Sequence, residues 1–242
     1  MKTFLTTLLI FIVFRTIGQP DEAIHYVSLN HAIHEGQFDG VSPVSWVKGL
    51  ANFGLGSEEK LKSEVVVLDG KFYKIPASGK VEQLKSDDQL AFAALKQFVP
   101  DTTVRFDKPI TLEELQNYLS KIIDVNAFSA IRVDATFDHA IFRSFEEQQK
   151  PYKPITDITE TVFTKENIRG TIVGFFTPKS AEVLNSPAYH FHFIDEARET
   201  GGHLKAAVLR MMEIQIDYAQ AATIHLPSRE SIKHIDLNTT KK

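Results

Sequence analysis

Three histidines in the C-terminal part of the chain have the spacing that metal chemistry needs. His190 and His192 stand two residues apart in the segment YHFHFIDEARETGGHL, positions 189–204. Because successive side chains of a strand point to opposite faces, both imidazoles are expected on one face. His203 follows a Gly-Gly pair that is predicted to form a turn, which would return it on a neighbouring strand. The pattern predicts three protein ligands and an open position, the usual layout of a catalytic zinc centre.

The strand that carries the first two histidines is expected to be anchored by its other face. Phe191 and Phe193 alternate with the histidines, so they are predicted to enter a hydrophobic core. A purely structural interpretation competes with the metal site, since a strand histidine is usually hydrogen-bonded and half-buried. The chain has nine histidines, and some chance clustering is expected. The third histidine behind the glycine pair favours metal binding over that interpretation.

Two charged residues are candidates for a role beside the metal. Glu64 begins the apolar strand EVVVL, which an Asp-Gly turn joins to the returning strand KFYKI. Glu64 is normally read as a solvated edge residue, whereas burial in a cavity would raise its pKa and suit it to proton transfer. Arg143 lies at the end of a strand predicted at 136–142. It is either an active-site clamp or a surface cation.

Composition excludes several kinds of site. The 242 residues are enough for a sizeable core, and 43% hydrophobic with 24% charged residues is ordinary for a globular chain. The net charge of −4 and the lack of an obvious basic patch predict no nucleic-acid partner. The chain has no cysteine, which excludes disulfides, thiolate metal sites and thiol nucleophiles.

The periodicity predicts an α+β fold that is rich in sheet, mixed or antiparallel, with a few helices and the metal site on a pair of strands. Further strands are predicted at 127–133 and 168–176, and helices at 89–98 and 112–123. Thr111 and Glu114 fit a capping box at the start of the second helix. With no repeats and no evident linker, residues 20–242 are predicted to form one domain.

The N-terminal residues are predicted to be a targeting segment. Lys2 supplies a positive charge, and Phe4–Phe14 is an apolar run too short to cross a bilayer comfortably. We predict a signal peptide over residues 1–19 and export to the periplasm or the extracellular space. The alternative is an uncleaved N-terminal anchor. No later segment approaches the length of a transmembrane helix, so no membrane span is expected in the mature chain.

Several segments together resemble the alpha-acetolactate decarboxylase family of bacterial acetoin synthesis. The resemblance is carried by HFHF…GGHL preceded by GTIVGFFTP, by NFGLGS…EVVVLDGKFY, by AIRVDATFDHAIFRSF…KPYKP and by GQFDG near residue 40. It covers about residues 26–227. It implies an enzyme that converts 2-acetolactate to acetoin and carbon dioxide, and a homodimer, because members are typically dimers.

The resemblance also implies roles for particular residues. It implies that zinc is bound by His190, His192 and His203. The family's glutamate at the head of the hairpin strand falls on Glu64, and its arginine at the end of the central strand falls on Arg143.

The sequence departs from the family at two places. Lys62-Ser63 stands where the family usually has Asp-Gly, and no glutamate follows Glu230, whereas the family has a C-terminal glutamate that reaches the metal site. Either that glutamate is dispensable here or the activity is altered.

Two other functions compete with the decarboxylase. His190, His192 and Glu196 fit half of the pattern of a cupin-type metal enzyme, although position 203 is histidine where that pattern has glycine. The cupin interpretation requires Glu196, rather than His203, to face the other two histidines. The second alternative is a non-catalytic exported domain that binds a metal or ligand.

Overall fold

The computed structural model describes residues 22–238, in which strands predominate. The strands there are β1 (Ala23–Val27), β2 (Ser42–Pro43), β3 (Phe53–Glu58), β4 (Ser63–Leu68), β5 (Lys71–Pro76), β6 (Glu82–Gln83), β7 (Gln89–Lys96), β8 (Thr102–Phe106), β9 (Ile110–Thr111), β10 (Phe128–Phe145), β11 (Glu160–Thr177), β12 (Ala188–Asp195), β13 (Gly201–Ala219) and β14 (Ala221–His225). The α-helices are α1 (Asn30–His34), α2 (Val44–Val47), α3 (Leu112–Ile122) and α4 (Arg229–Ile232). The predicted sheet-rich α+β class is confirmed. The predicted signal peptide, residues 1–19, lies outside the described residues.

Two sheets form the fold. The first has the order β14-β1-β7-β3-β4-β5-β6, with β2 beside β7, and among these described strands β1 and β14 run parallel while the other pairs are antiparallel. The second is antiparallel in the order β10-β11-β12-β13-β8, with β9 beside β13. Because β10 also pairs with β13, four strands of the second sheet close into a ring, namely β10, β11, β12 and β13. None of the helices within residues 22–238 is long and apolar enough to span a membrane.

The sheets are held together by a shared hydrophobic core. Leu55 and Phe92 of the first sheet pack in one buried cluster with Phe145 and Phe175 of the second. A second cluster lies within the second sheet and is covered by α3, whose Leu115 and Leu119 are fully buried. The predicted capping box is confirmed, since the Thr111 hydroxyl accepts from the backbone of Glu114 and the Glu114 carboxylate accepts from that of Thr111.

The helix predicted at 89–98 is wrong. Gln89–Lys96 is β7, which lies between β1 and β3 in the middle of the first sheet. Leu90–Leu95 is buried on both faces of that sheet, so no polar residue marks an outer face. A strand of this kind reads as a continuous apolar run, and periodicity alone cannot separate it from a buried helix.

The two strands predicted at 127–133 and 136–142 form one strand, β10. It runs from Phe128 to Phe145, and its pairing with β13 shifts register between Asp134 and Thr136. This irregularity interrupts the alternation of side chains without ending the strand, so the sequence pattern breaks at this point.

The turn predicted at the glycine pair lies a few residues earlier. The carboxylate of Asp195 accepts the backbone N–H groups of Glu199 and Thr200 at 2.7 and 2.9 Å, which closes the connection between β12 and β13. Gly201 and Gly202 are instead the first residues of β13.

The glycine pair allows β13 to lie close to both of its neighbours. A Cβ atom on Gly201 would lie 2.4 Å from the carbonyl oxygen of Phe193 in β12. A Cβ atom on Gly202 would lie 2.5 Å from the carbonyl oxygen of Arg143 in β10, and its φ of +147° also favours glycine. The next residue, His203, therefore pairs with both strands at once.

Candidate metal centre and active site

The three predicted histidines lie together. His190 and His192 project from one face of β12, and His203 of β13 is the direct register partner of His192. Their ring centroids are 5.1, 5.1 and 5.3 Å apart, and their candidate ligand atoms lie within 4.8 Å of one another. Phe191 and Phe193, on the opposite face, are buried in the core as predicted. The rings form a nearly equilateral cluster.

Hydrogen bonds determine which ring nitrogen is unprotonated in His190 and in His192. Nδ1 of His192 lies 2.9 Å from the carbonyl oxygen of Val65, which can only accept, so Nδ1 carries the proton. Nδ1 of His190 lies 2.7 Å from Oδ1 of Asn185. That atom also accepts the backbone N–H of Ser186 at 2.9 Å, which identifies it as the amide oxygen. Both rings therefore present an unprotonated Nε2, as a metal ligand must.

The three imidazoles are held neutral. Burial lowers the pKa of His192 to about 3, and the positive charge of Arg143 acts in the same direction. Burial and the same cation hold the pKa values of His190 and His203 well below the usual range. Metal binding requires the neutral ring. Three neutral nitrogen donors fit a divalent ion such as zinc, which would keep its full double charge.

Glu64 and Arg143 meet in the same cavity, which has a volume of about 290 Å³ and lies between the two sheets. Glu64 is 4% exposed, and its Oε2 lies 3.3 Å from Nε2 of His192. Nη1 of Arg143 donates to the other oxygen of Glu64, and the Arg143 side chain is 11% exposed. The interpretations of Glu64 as a solvated edge residue and of Arg143 as a surface cation are wrong.

The surroundings of Glu64 favour its protonated form. Burial raises the pKa of this carboxyl to about 7, and the charge of Glu160 acts in the same direction. The guanidinium of Arg143 opposes both effects. The cavity therefore contains a carboxyl group that can hold or release a proton near neutral pH.

Three further residues of the cavity were missed from the sequence. Glu160 begins β11, Ser57 lies on β3 and His34 ends α1, and all three line the cavity. The hydroxyl of Ser57 is buried without a hydrogen-bond partner among the described residues. Burial is the first cause that lowers the pKa of His34, with the charges of His31 and Arg143 next. No local pattern marks these residues, because each reaches the cavity through long-range packing.

The residues of the alternative patterns lie elsewhere. Glu196 is exposed and lies 3.6 Å from Arg169, so His203 completes the cluster and the cupin arrangement is wrong. Glu230 pairs with Lys233 and lines a different cavity. Within residues 22–238, the carboxylates that line the histidine cavity are Glu64 and Glu160.

Asn185 orients His190, a candidate metal ligand, and this role can be tested. Its side chain is fully buried, and its oxygen holds the ring of His190. We expect Asn185→Ala to weaken metal binding by about 10- to 100-fold, the usual effect of losing a residue that orients a ligand. Competition with a chelator measures the affinity. Asn126→Ala, at an exposed position, is the control, and equal affinities for the two variants would contradict the assignment.

The carboxyl of Glu64 predicts a pH-dependent loss of stability in metal-free protein. Its pKa rises from 4.5 to about 7 on folding, so the folded state binds this proton more tightly than the unfolded state. This stabilisation is complete below pH 4.5 and is lost as the pH rises towards 7. Over this window, the free energy of unfolding of the wild type should fall relative to Glu64→Gln by on the order of 3 kcal/mol.

The histidines act in the opposite direction. Their lowered pKa values remove stability as the pH falls below 6.5. They are present in both proteins, so most of their contribution cancels in the difference. Denaturant unfolding of both proteins from about pH 4 to about pH 8 measures that difference. A difference that stays constant with pH would contradict the burial argument.

The chain is similar to known proteins over most of its length. The family model for alpha-acetolactate decarboxylase matches residues 24–239. The Bacillus subtilis alpha-acetolactate decarboxylase is 33% identical over 223 residues, which cover 91% of this chain and 88% of the relative. The enzyme of that name from Methanosarcina mazei is 33% identical over 219 residues, covering 89% and 76%.

The fold is also similar to that of a known crystal structure. The crystal structure of the B. subtilis strain 168 enzyme superposes with a TM-score of 0.87 at 32% identity, over 90% of this chain and 94% of that one. Because the family model matches residues 24–239, a range that spans both sheets, the chain belongs to the alpha-acetolactate decarboxylase family.

Proposed function

We propose that the protein converts 2-acetolactate to acetoin and carbon dioxide, with zinc bound by His190, His192 and His203. The observation that carries the proposal is the meeting of three neutral imidazoles with a buried carboxyl–guanidinium pair in one cavity. Family membership supports the same reaction.

The cavity suits a small, anionic substrate. Its volume of about 290 Å³ is at the lower end of the range for ligand pockets. Arg143 supplies a buried positive charge, and Phe92 and Phe145 supply apolar walls. Acetolactate has a carboxylate, two methyl groups and adjacent ketone and hydroxyl oxygens, which match the positive charge, the apolar walls and the histidine cluster, respectively.

The reaction needs an electron sink and a proton. Loss of carbon dioxide leaves an electron pair that the ketone of the substrate accepts, so no organic cofactor is required. A bound zinc ion supplies Lewis-acid stabilisation of the negative charge that develops on the substrate oxygens. The protein must then hold the substrate in one orientation and deliver a proton to the carbon that lost the carboxylate.

Glu64 is the proposed proton donor. Its pKa of about 7 keeps a large fraction of this carboxyl protonated at neutral pH. It lies beside His192, at the edge of the histidine cluster, so a substrate that reaches the metal also lies near this carboxyl. A donor fixed on one side of the substrate delivers its proton to one face.

Arg143 is the proposed clamp for the substrate carboxylate. A guanidinium has five N–H donors, of which Nη1 and Nε contact Glu64 and Glu160. The remaining donors have no partner among the described residues and can form charge-assisted hydrogen bonds with an anion in the cavity. The ring of Phe145 lies 4.2 Å from the guanidinium carbon and supports its plane.

The first test is activity with and without metal. Purified protein should release acetoin from racemic 2-acetolactate, should lose this activity after treatment with a chelator and should regain it with zinc. Glu64→Gln keeps the shape of the side chain but cannot donate a carboxylic proton. It should lower kcat by a factor on the order of 10²–10⁴. Zinc content should change little, because Glu64 is not assigned as a ligand.

Matched variants complete this test. Arg143→Lys keeps the charge but loses the planar fork, so both KM and kcat should worsen. Glu113→Gln removes an exposed carboxylate from α3 and should leave both constants unchanged. Normal turnover in Glu64→Gln with full zinc content would refute the role of Glu64. Zinc binding without any turnover in the wild type would favour the non-catalytic binding domain.

Export of the protein is a separate proposal. The apolar run at 4–14 supports a signal peptide, so residues 1 to about 19 should be missing from exported material. N-terminal sequencing of protein from the extracytoplasmic fraction measures this. A sequence that begins at Met1 in that fraction would favour the uncleaved anchor. The homodimer and the lack of a nucleic-acid partner likewise remain predictions.

A further inference from the structure

Glu160 is a second carboxylate in the cavity, and it contacts the cation that is proposed to bind substrate. It is the first residue of β11, and its side chain is 32% exposed at the cavity wall. Its Oε1 lies 3.1 Å from Nε of Arg143. Its other oxygen accepts from the ammonium group of Lys205, two residues beyond His203 on β13. The carboxylate therefore joins the cation to the strand that carries the third histidine.

The three contacts of Arg143 leave its guanidinium little freedom. Glu64 holds Nη1, Glu160 holds Nε and the ring of Phe145 lies against the plane. The contact at Nε determines how the planar group is rotated about its stem. Without it, Glu64 would be the remaining carboxylate partner of this side chain among the described residues.

We propose that Glu160 is a positioning residue that holds Nε of Arg143, so that the other donors of the guanidinium face the substrate. The proposal rests on the decarboxylase function proposed above. Lys205 supports this role, because its ammonium group forms an ion pair with Glu160. The charge of Glu160 also raises the pKa of Glu64, which agrees with a placement near the proton donor.

Substitutions at Glu160 separate positioning from general structure. Glu160→Ala removes the contact with Nε and should raise KM for 2-acetolactate about tenfold or more, with a smaller change in kcat. Glu160→Gln keeps an oxygen that can accept from Nε and should restore KM to within about threefold of the wild type. Zinc content should stay unchanged in both. Glu166→Gln, an exposed carboxylate on the same strand, is the control.

A second readout does not depend on turnover. The Nε–H of Arg143 gives an NMR signal, which Arg143→Lys identifies by its loss. In the wild type, the ion pair with Glu160 should slow the exchange of this proton with water, and Glu160→Ala should restore fast exchange. If Glu160→Ala fails to fold, Glu160→Thr removes the carboxylate with a residue that strands favour, and both readouts apply to it.

The outcomes separate the two proposals. Values of KM and kcat in Glu160→Ala within about twofold of the wild type would overturn the positioning role, as would unchanged exchange of the Arg143 proton. A wild type without activity would overturn the proposed function. In that case the NMR comparison alone decides whether Glu160 positions Arg143, and a return of fast exchange would support it.

Discussion

The close approach of β13 to both of its neighbours is the constraint on which the site depends. A Cβ atom added to Gly201 or to Gly202 would collide with a carbonyl oxygen of the neighbouring strand. Glycine has no such atom, so the strands can lie this close. Because both neighbours are close, His203 pairs with His192 on one side and with Arg143 on the other. The candidate metal ligands and the cation are thus brought together by backbone pairing, which positions them more rigidly than loops would.

The site combines histidines that are kept unprotonated with a carboxyl group whose protonated form is favoured. The histidines must be neutral to bind a metal, and their burial near Arg143 keeps them so. The same burial raises the pKa of Glu64, which favours a carboxyl that carries a proton. Glu64 and Glu160 both contact Arg143 in this poorly solvated region. One cation therefore helps to keep the imidazoles neutral and is itself held in place by the two carboxylates.

The parts of the site that depend on local geometry could be predicted from the sequence. The spacing of His190 and His192 was sufficient because alternation along a strand is a local property. The meeting of Glu64 with Arg143 was not derivable from the residues themselves, since they are 79 positions apart and lie on different sheets. It was implied only by the resemblance to a family. β7 was predicted as a helix because its burial on two faces is a consequence of tertiary packing.

The hydrogen bond from His192 to the carbonyl of Val65 connects a ligand of the second sheet to the backbone of the first. The ring can present its free nitrogen in a fixed direction only while the sheets are docked. An ion that binds this docked arrangement must therefore oppose separation of the sheets, by mass action. The bound ion would therefore stabilise the docking of the two sheets. Resistance to proteolysis would then follow the supply of metal, even where no substrate is present.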